Sequence, residues 1–288
     1  MTNEAKYATM QLFEKTMVMQ RKLYSVDKPL VMGILNVTPD SFFDGGRYVS
    51  DEAVVQRARD IVAEGADIID LGAVSTRPGA ETPGQEAELR RLLPALRMLR
   101  AEFPHVPISI DTFRASVAED CVKAGADIIN DISGGLFDDR MFPAIAALQV
   151  PYVLMHNRTT PDRMAQATQY TDVVAEVIRF LSERLETLYR LGVKDVIVDP
   201  GFGFAKTLDQ NYELMRRLDE FAVFDEPLLV GISRKSMIYK LLGNTPDEVL
   251  AGTTALNTYA LLHGAKFLRV HDVAEAVQCR TIVSKLIK

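Results

Sequence analysis

Short apolar runs in this sequence repeatedly end on polar side chains: Asn36, Asp70, Asp111, Asn130, Asp131, His156, Asp199, Ser233, Arg269 and His271. Asp111, Asn130 and Asp199 could read a flat heterocycle. A carboxylate accepts from an amino group or a ring N–H, while an amide both donates and accepts. Lys235 can donate to a carbonyl. Arg269 and His271 stand two apart, so on an extended segment they share one face. A cation pair there suits an anion such as a phosphate. One Asp at a strand end is often only a helix cap. Several carboxylates and amides converging at one rim need a functional explanation.

The stretch "DPGFGFAKT" (199–207) looks like a nucleotide loop but is not one. A P-loop needs Gly directly before its Lys, where Ala205 stands, and Gly201 and Gly203 do not complete G-x-G-x-x-G. Phe42, Phe43 and Phe204 lie in or beside Gly-rich stretches. Phe42 and Phe204 have little local core to join, so they suit the walls of an aromatic substrate site. Lys206 reads as solvated, and His156, His105 and His263 read as structural. No H-x-x-x-H or Cys/His set suggests a dedicated zinc site.

The elements that must position these residues repeat. "EGADIIDLG" (64–72), "KAGADIINDISGG" (123–135), "LGVKDVIVDPGFG" (191–203) and "HGAKFLRVHD" (263–272) each leave a helical pattern and turn on Gly. Each then crosses an apolar run, as a doubly buried parallel strand does. Four further runs, 29–36, 106–111, 151–156 and 227–233, fall between them. Helical patterns cover 50–64, 85–102, 114–124, 139–148, 170–190, 208–219, 247–262 and 273–287. Strand and helix alternating in this way predict an α/β (β/α)₈ barrel over residues 29–288, with all the polar strand ends at one mouth. An open doubly wound sheet is the rival, but it usually carries its Gly-rich loop after the first strand. The long irregular stretches 37–49, 73–84, 157–169 and 233–246 all follow strands, on the face where barrels build sites. Residues 1–28 are an N-terminal extension, read as a helix leading into the barrel.

At 48% hydrophobic and 25% charged residues, the chain has an ordinary globular composition. A net charge of −6 gives no sign of a basic surface for nucleic acid. No run is long and apolar enough for a signal or a membrane anchor. Cys121 and Cys279 stand alone, as reduced, packed thiols of a cytoplasmic protein would.

"GILNVTPDSFFDGGRY", "STRPGA", "SIDT", "NDISGG", "VDPGFGFAKT", "SRKS" and "RVHD" follow one another, each at a predicted strand end. In this order they closely resemble the dihydropteroate synthase family, the folate-pathway enzymes inhibited by sulfonamides. The resemblance runs from Pro29 to the C-terminus. It implies a (β/α)₈ barrel, usually a homodimer. It implies a transferase that joins 6-hydroxymethyl-7,8-dihydropterin diphosphate to p-aminobenzoate, giving 7,8-dihydropteroate and pyrophosphate, with Mg²⁺. By that resemblance Asp111, Asn130, Asp199 and Lys235 are the pterin readers. Asn36 lies near Mg²⁺ and diphosphate, and Arg77, Arg269 and His271 clamp the diphosphate. Phe42, Thr76, Pro78, Phe204 and Ser236, with Lys235, bound the p-aminobenzoate pocket. Asp44 and Arg77 belong to the first two loops, which close over the substrates.

Three departures stand out: Val74 where an acid is expected before the Ser, Ala205 where Gly is usual, and a less typical fifth loop, "MHNRTTPDRM". A pterin-binding methyltransferase would share the barrel and the pterin readers, but a methyl donor has no diphosphate for "RVHD" and "STRPGA" to hold. A silent homologue kept for binding would typically have lost part of the assigned set, which is intact here.

Overall fold

The structure is a computed structural model and describes residues 15–20, 22–38, 51–74, 83–160, 163 and 166–287. The apolar runs form eight parallel strands: β3 (Leu30–Asn36), β4 (Ile68–Gly72), β5 (Ile108–Asp111), β6 (Ile128–Asp131), β7 (Tyr152–Met155), β8 (Val196–Asp199), β9 (Leu228–Val230) and β10 (Ala265–Val270). β10 pairs with both β9 and β3, closing the sheet into a barrel and excluding the open-sheet rival. The helices are α1 (Asp51–Ala63), α2 (Gln85–Glu102), α3 (Ala115–Lys123), α4 (Met141–Leu148), α5 (Val173–Arg190), α6 (Leu208–Arg216), α7 (Ser236–Leu242), α8 (Leu250–Leu262) and α9 (Val273–Leu286). α7 lies inside the stretch 233–246 that reads as irregular. It forms because Met237 and Ile238 bury one face and Gly243, at φ 70°, ends it.

Each strand has two destinations for its side chains. Outward residues such as Val31, Leu71, Ile110, Leu154, Val198 and Leu268 pack against the helices. Inward residues near the strand starts, among them Met32, Ile68, Ile128, Val153, Ile197, Leu229 and Phe267, form a separate apolar layer inside the barrel.

That layer is completed from below by a hairpin over residues 16–25, which corrects the expectation of a helix there; residues 1–14 of the extension lie outside the described residues. β1 (Thr16–Met19) and β2 (Lys22–Ser25) pair antiparallel. The run Thr-Met-Val-Met alternates exposed and buried residues, the period of a strand. Met17, Met19 and Val26 join the inward apolar layer. The Gln20 side chain donates to Val106 O at 3.0 Å, and the Val18 N–H donates to Asp195 at 3.1 Å. Both acceptors lie just before barrel strands, so the hairpin covers the N-terminal end. Among the described residues no helix is long and apolar enough to cross a membrane.

Candidate active site

Two residues beyond the apolar layer, the same strand faces turn polar. Ile68 is followed by Asp70, Ile128 by Asn130, Ile197 by Asp199 and Phe267 by Arg269. Strand periodicity keeps each pair on the same inward face. Adjacent strands bring Asn36 level with Gly72, Gly72 with Asp111, and Asp111 with Asn130. Gly72 keeps this contact open: a Cβ on it would lie 3.1 Å from Asn36 Oδ1 and 3.4 Å from Asp111 Cβ.

Arg269 ties this layer together. Its Nε donates to Asp70 at 2.7 Å and its Nη2 to Asp111 at 2.7 Å. Asn130 Nδ2 donates to the same Asp70, at 3.2 Å to Oδ2. Burial pushes Asp111 up to about 7, against the pull of Arg269 and with a push from Asp70. Asp70, fully buried, is thus the anchor of two site residues. The sequence shows it as a polar strand end but gives it no partner.

The opposite side of the mouth holds Asp199, Lys235 and Phe204. Asp199 is buried and accepts from the Gly201 N–H at 2.7 Å, so one carboxylate oxygen is turned by the loop that follows. Burial raises its pKa and the nearby Lys235 opposes the shift. Lys235 donates to Phe202 O at 2.5 Å and places its ammonium 4.7 Å from the centre of the Phe204 ring. Burial lowers Lys235 to about 8, with Asp199 resisting. Phe204 has more local core than its loop suggests, packing with Ile132, Met155 and Phe113. Ser236 opens α7 directly after Lys235.

His271 departs from the expected cation pair. Burial, with Arg269 and Arg234 nearby, lowers it to about 4, so it is neutral at pH 7. Its backbone N–H donates to Ser233 Oγ at 3.1 Å, and the same oxygen stands 3.1 Å from ring Nδ1. The hydroxyl can thus accept from the backbone and still pair with Nδ1, which holds the neutral ring in place. Arg234 sits at φ 56° and is held there by Asp272, at 2.6 and 3.1 Å. Between α1 and the start of α9, a cavity of about 520 Å³ is lined by Arg57, Arg234, His271 and Asp272.

Phe42, Asp44, Thr76, Arg77 and Pro78 lie outside the described residues. What is described at the second loop is how its end is held. Glu88, fully buried on α2, pairs with Arg114 and accepts from Thr112 Oγ1 at 2.6 Å. Arg114 donates to Pro83 O at 2.7 Å, and Arg91 to Ala73 O at 3.1 Å. Lys206 also differs from its reading as solvated. It is 8% exposed and donates to Gly201 O at 2.8 Å and Phe204 O at 3.1 Å. Its Nζ also lies 3.0 Å from His156 Nδ1, which gives the buried His156 the partner that the sequence does not show. His263 is held by Asp219 at 2.8 Å and stacks on Tyr259, away from the mouth.

The pterin binding enzyme family model matches residues 32–271. The dihydropteroate synthase of Synechocystis sp. is 45% identical over 89% of each chain. A crystal structure of the Yersinia pestis dihydropteroate synthase in a sulfonamide drug complex superposes with a TM-score of 0.88, at 38% identity over 94% of this chain and 99% of that one. The Xanthomonas albilineans dihydropteroate synthase with 4-aminobenzoic acid gives a TM-score of 0.88, at 40% identity over 95% of this chain and 98% of that one. The chain belongs to the pterin-binding enzyme family and, within it, to the dihydropteroate synthases.

Proposed function

We propose that the barrel mouth joins 6-hydroxymethyl-7,8-dihydropterin diphosphate to p-aminobenzoate, releasing pyrophosphate and 7,8-dihydropteroate. The observation that carries this reading is the single inward layer in which Asp111, Asn130, Asp199, Lys235 and Arg269 converge above an apolar floor. Asp111, Asn130 and Asp199 take the amino and N–H edge of the pterin, and Lys235 donates to its carbonyl. Phe204 and Ser236 bound the p-aminobenzoate side. Arg269 has five N–H donors, and two carboxylates occupy two of them. The rest of the fork, with neutral His271, faces the diphosphate.

The C–O bond breaks with its electron pair leaving on the diphosphate. The electron-rich pterin carries the resulting positive charge on its exocyclic methylene, an SN1-like path that the Asp111 and Asp199 carboxylates favour. The aniline nitrogen, unprotonated near neutral pH, gives its lone pair to the new C–N bond and releases a proton to solvent. Phe42, Asp44, Thr76, Arg77 and Pro78, in the first two loops, would close over the substrates and exclude competing water.

Among the described residues no cluster of three or more His, Cys, Asp or Glu forms a metal cage. Mg²⁺ needs only one or two protein oxygens and completes its shell with phosphate and water. The Asn36 amide oxygen would hold it, and the bound ion would add positive charge beside the leaving diphosphate. Exposed Ile282 and Leu286, one turn apart on α9, together with Leu262 of α8, suit a homodimer face. Two buried free thiols, Cys121 and Cys279, suit a reducing cytoplasm.

Positional isotope exchange tests the path. With ¹⁸O in the C–O–P bridge and p-aminobenzoate omitted, the label should scramble into non-bridging positions of recovered substrate. Condensation without any scrambling would reject the SN1-like step, and undiminished turnover in excess chelator would reject Mg²⁺.

A further inference from the structure

The loop after β8 places three alternate residues in left-handed backbone: Gly201 at φ 72°, Gly203 at φ 81° and Ala205 at φ 47°. Two are glycines, and at Gly201 nothing else fits, because a Cβ would meet His156 O at 2.0 Å. Ala205 has no such freedom. A Cβ in this region is disfavoured, and the conformation persists only where the surroundings impose it. The next residue supplies much of that restraint. Around the buried Lys206 amino group, whose pKa burial lowers well below the ordinary lysine value while Asp199 resists, stand three partners: Gly201 O, Phe204 O and His156 Nδ1, at 2.8, 3.1 and 3.0 Å. Both carbonyls precede Ala205 and the lysine follows it, so the side chain folds back across Ala205 and ties residue 206 to residues 201 and 204. Gly201 O also accepts from the Phe204 N–H at 3.2 Å. Buried Asn211 of α6 holds the flanks, accepting from Gly203 N at 2.7 Å and donating to Thr207 O at 2.7 Å.

We infer that Lys206 is a positioning residue for p-aminobenzoate: it holds the Ala205 turn in its left-handed form and thereby fixes the Phe204 ring beside Lys235. This rests on the synthase reading of the mouth. Lys206 touches no substrate itself; its two carbonyl bonds set the direction of the Phe204 peptide, and the Phe204 ring then packs on Ile132 and Met155. His156 completes the strap. Burial and the neighbouring Lys206 keep its pKa well below the ordinary histidine value, so the ring that packs against the amino group is neutral.

The test is steady-state condensation with each substrate varied in turn, in the wild-type protein, Lys206→Met, and Lys206→Met combined with Ala205→Gly. Met keeps the length of the side chain and removes its N–H donors. The expected result for Lys206→Met is a KM for p-aminobenzoate raised about tenfold, with the KM for the pterin diphosphate within about twofold. Glycine at 205 removes the strain that the strap opposes, so the double variant should recover most of the lost affinity. If Lys206→Met lowers only the amount of active protein, with both KM values unchanged, Lys206 is merely structural and the inference fails. Equal KM increases for both substrates, or no recovery in the double variant, also overturn it. If Lys206→Met does not fold, Ala205→Val with the lysine in place asks the same question. Added strain must raise the KM for p-aminobenzoate selectively, and unchanged KM values refute the strap. No turnover in the wild-type protein would reject the synthase reading and this inference with it; turnover in the wild type with unaltered KM values in the variants would reject the strap alone.

Discussion

The two ends of the barrel interior are built by the same strands, two residues apart, and share almost no chemistry. At the strand starts Ile68, Ile128, Ile197 and Phe267 face Met17 and Met19 of the hairpin in a dry layer. At the strand ends Asp70, Asp111, Asn130 and Arg269 form a network of buried charge, and Asp199 is buried at the same level. The lower layer gains from removing apolar surface from water. The upper layer bears the desolvation of three carboxylates and a guanidinium, only part of which its ion pairs return. Such an arrangement is retained where binding or catalysis needs it. Stability and function are thus divided along each strand rather than between strands.

Substitutions at the two ends should therefore fail differently. The largest effect is expected from Arg269→Met, which removes the anion donor and leaves Asp70 and Asp111 without their partner. Steady-state turnover should fall about a thousandfold. Ile128→Ala, two residues below Asn130, should cost about 3 kcal/mol in denaturant unfolding, yet leave kcat per folded molecule within about twofold. If Ile128→Ala instead cut kcat as deeply as Arg269→Met, the division between the layers would be wrong.

Lys235 gives a subtler contrast, through pH. Its ammonium donates below about 8 and is lost above it. The pterin kcat/KM should therefore fall above about pH 8, and Lys235→Arg should remove that alkaline limb while lowering the plateau. The sign for stability is opposite. The folded pKa lies below the ordinary value, so the unfolded chain holds more protons between about 8 and 10.5, and this group favours folding more as pH rises through that window. The smallest effect belongs to the hairpin. Met19→Leu nearly conserves volume and should shift stability by less than about 1.5 kcal/mol with no change in either KM, read by thermal melting and steady-state kinetics.

The upper layer was legible in the sequence because parallel strands buried on both faces read as unbroken apolar runs, and the polar residue that stops each run marks the mouth. Asp111, Asn130, Asp199 and Arg269 were all found in that way. The hairpin was not legible, since four residues of Met-rich alternation are too short to separate a strand from a helix turn. Partnerships were also hidden. Nothing local links Glu88 to Arg114 or Lys206 to His156, which lie 26 and 50 residues apart. The charge of His271 could not be read from its type, because burial and two neighbouring arginines determine it.

The account rests on the upper layer being a condensing site, and pyrophosphate release measures this most directly. With dihydropterin diphosphate and Mg²⁺ present, adding p-aminobenzoate should switch on release together with an equal amount of 7,8-dihydropteroate. Pterin binding without release under those conditions, with or without p-aminobenzoate, would contradict it.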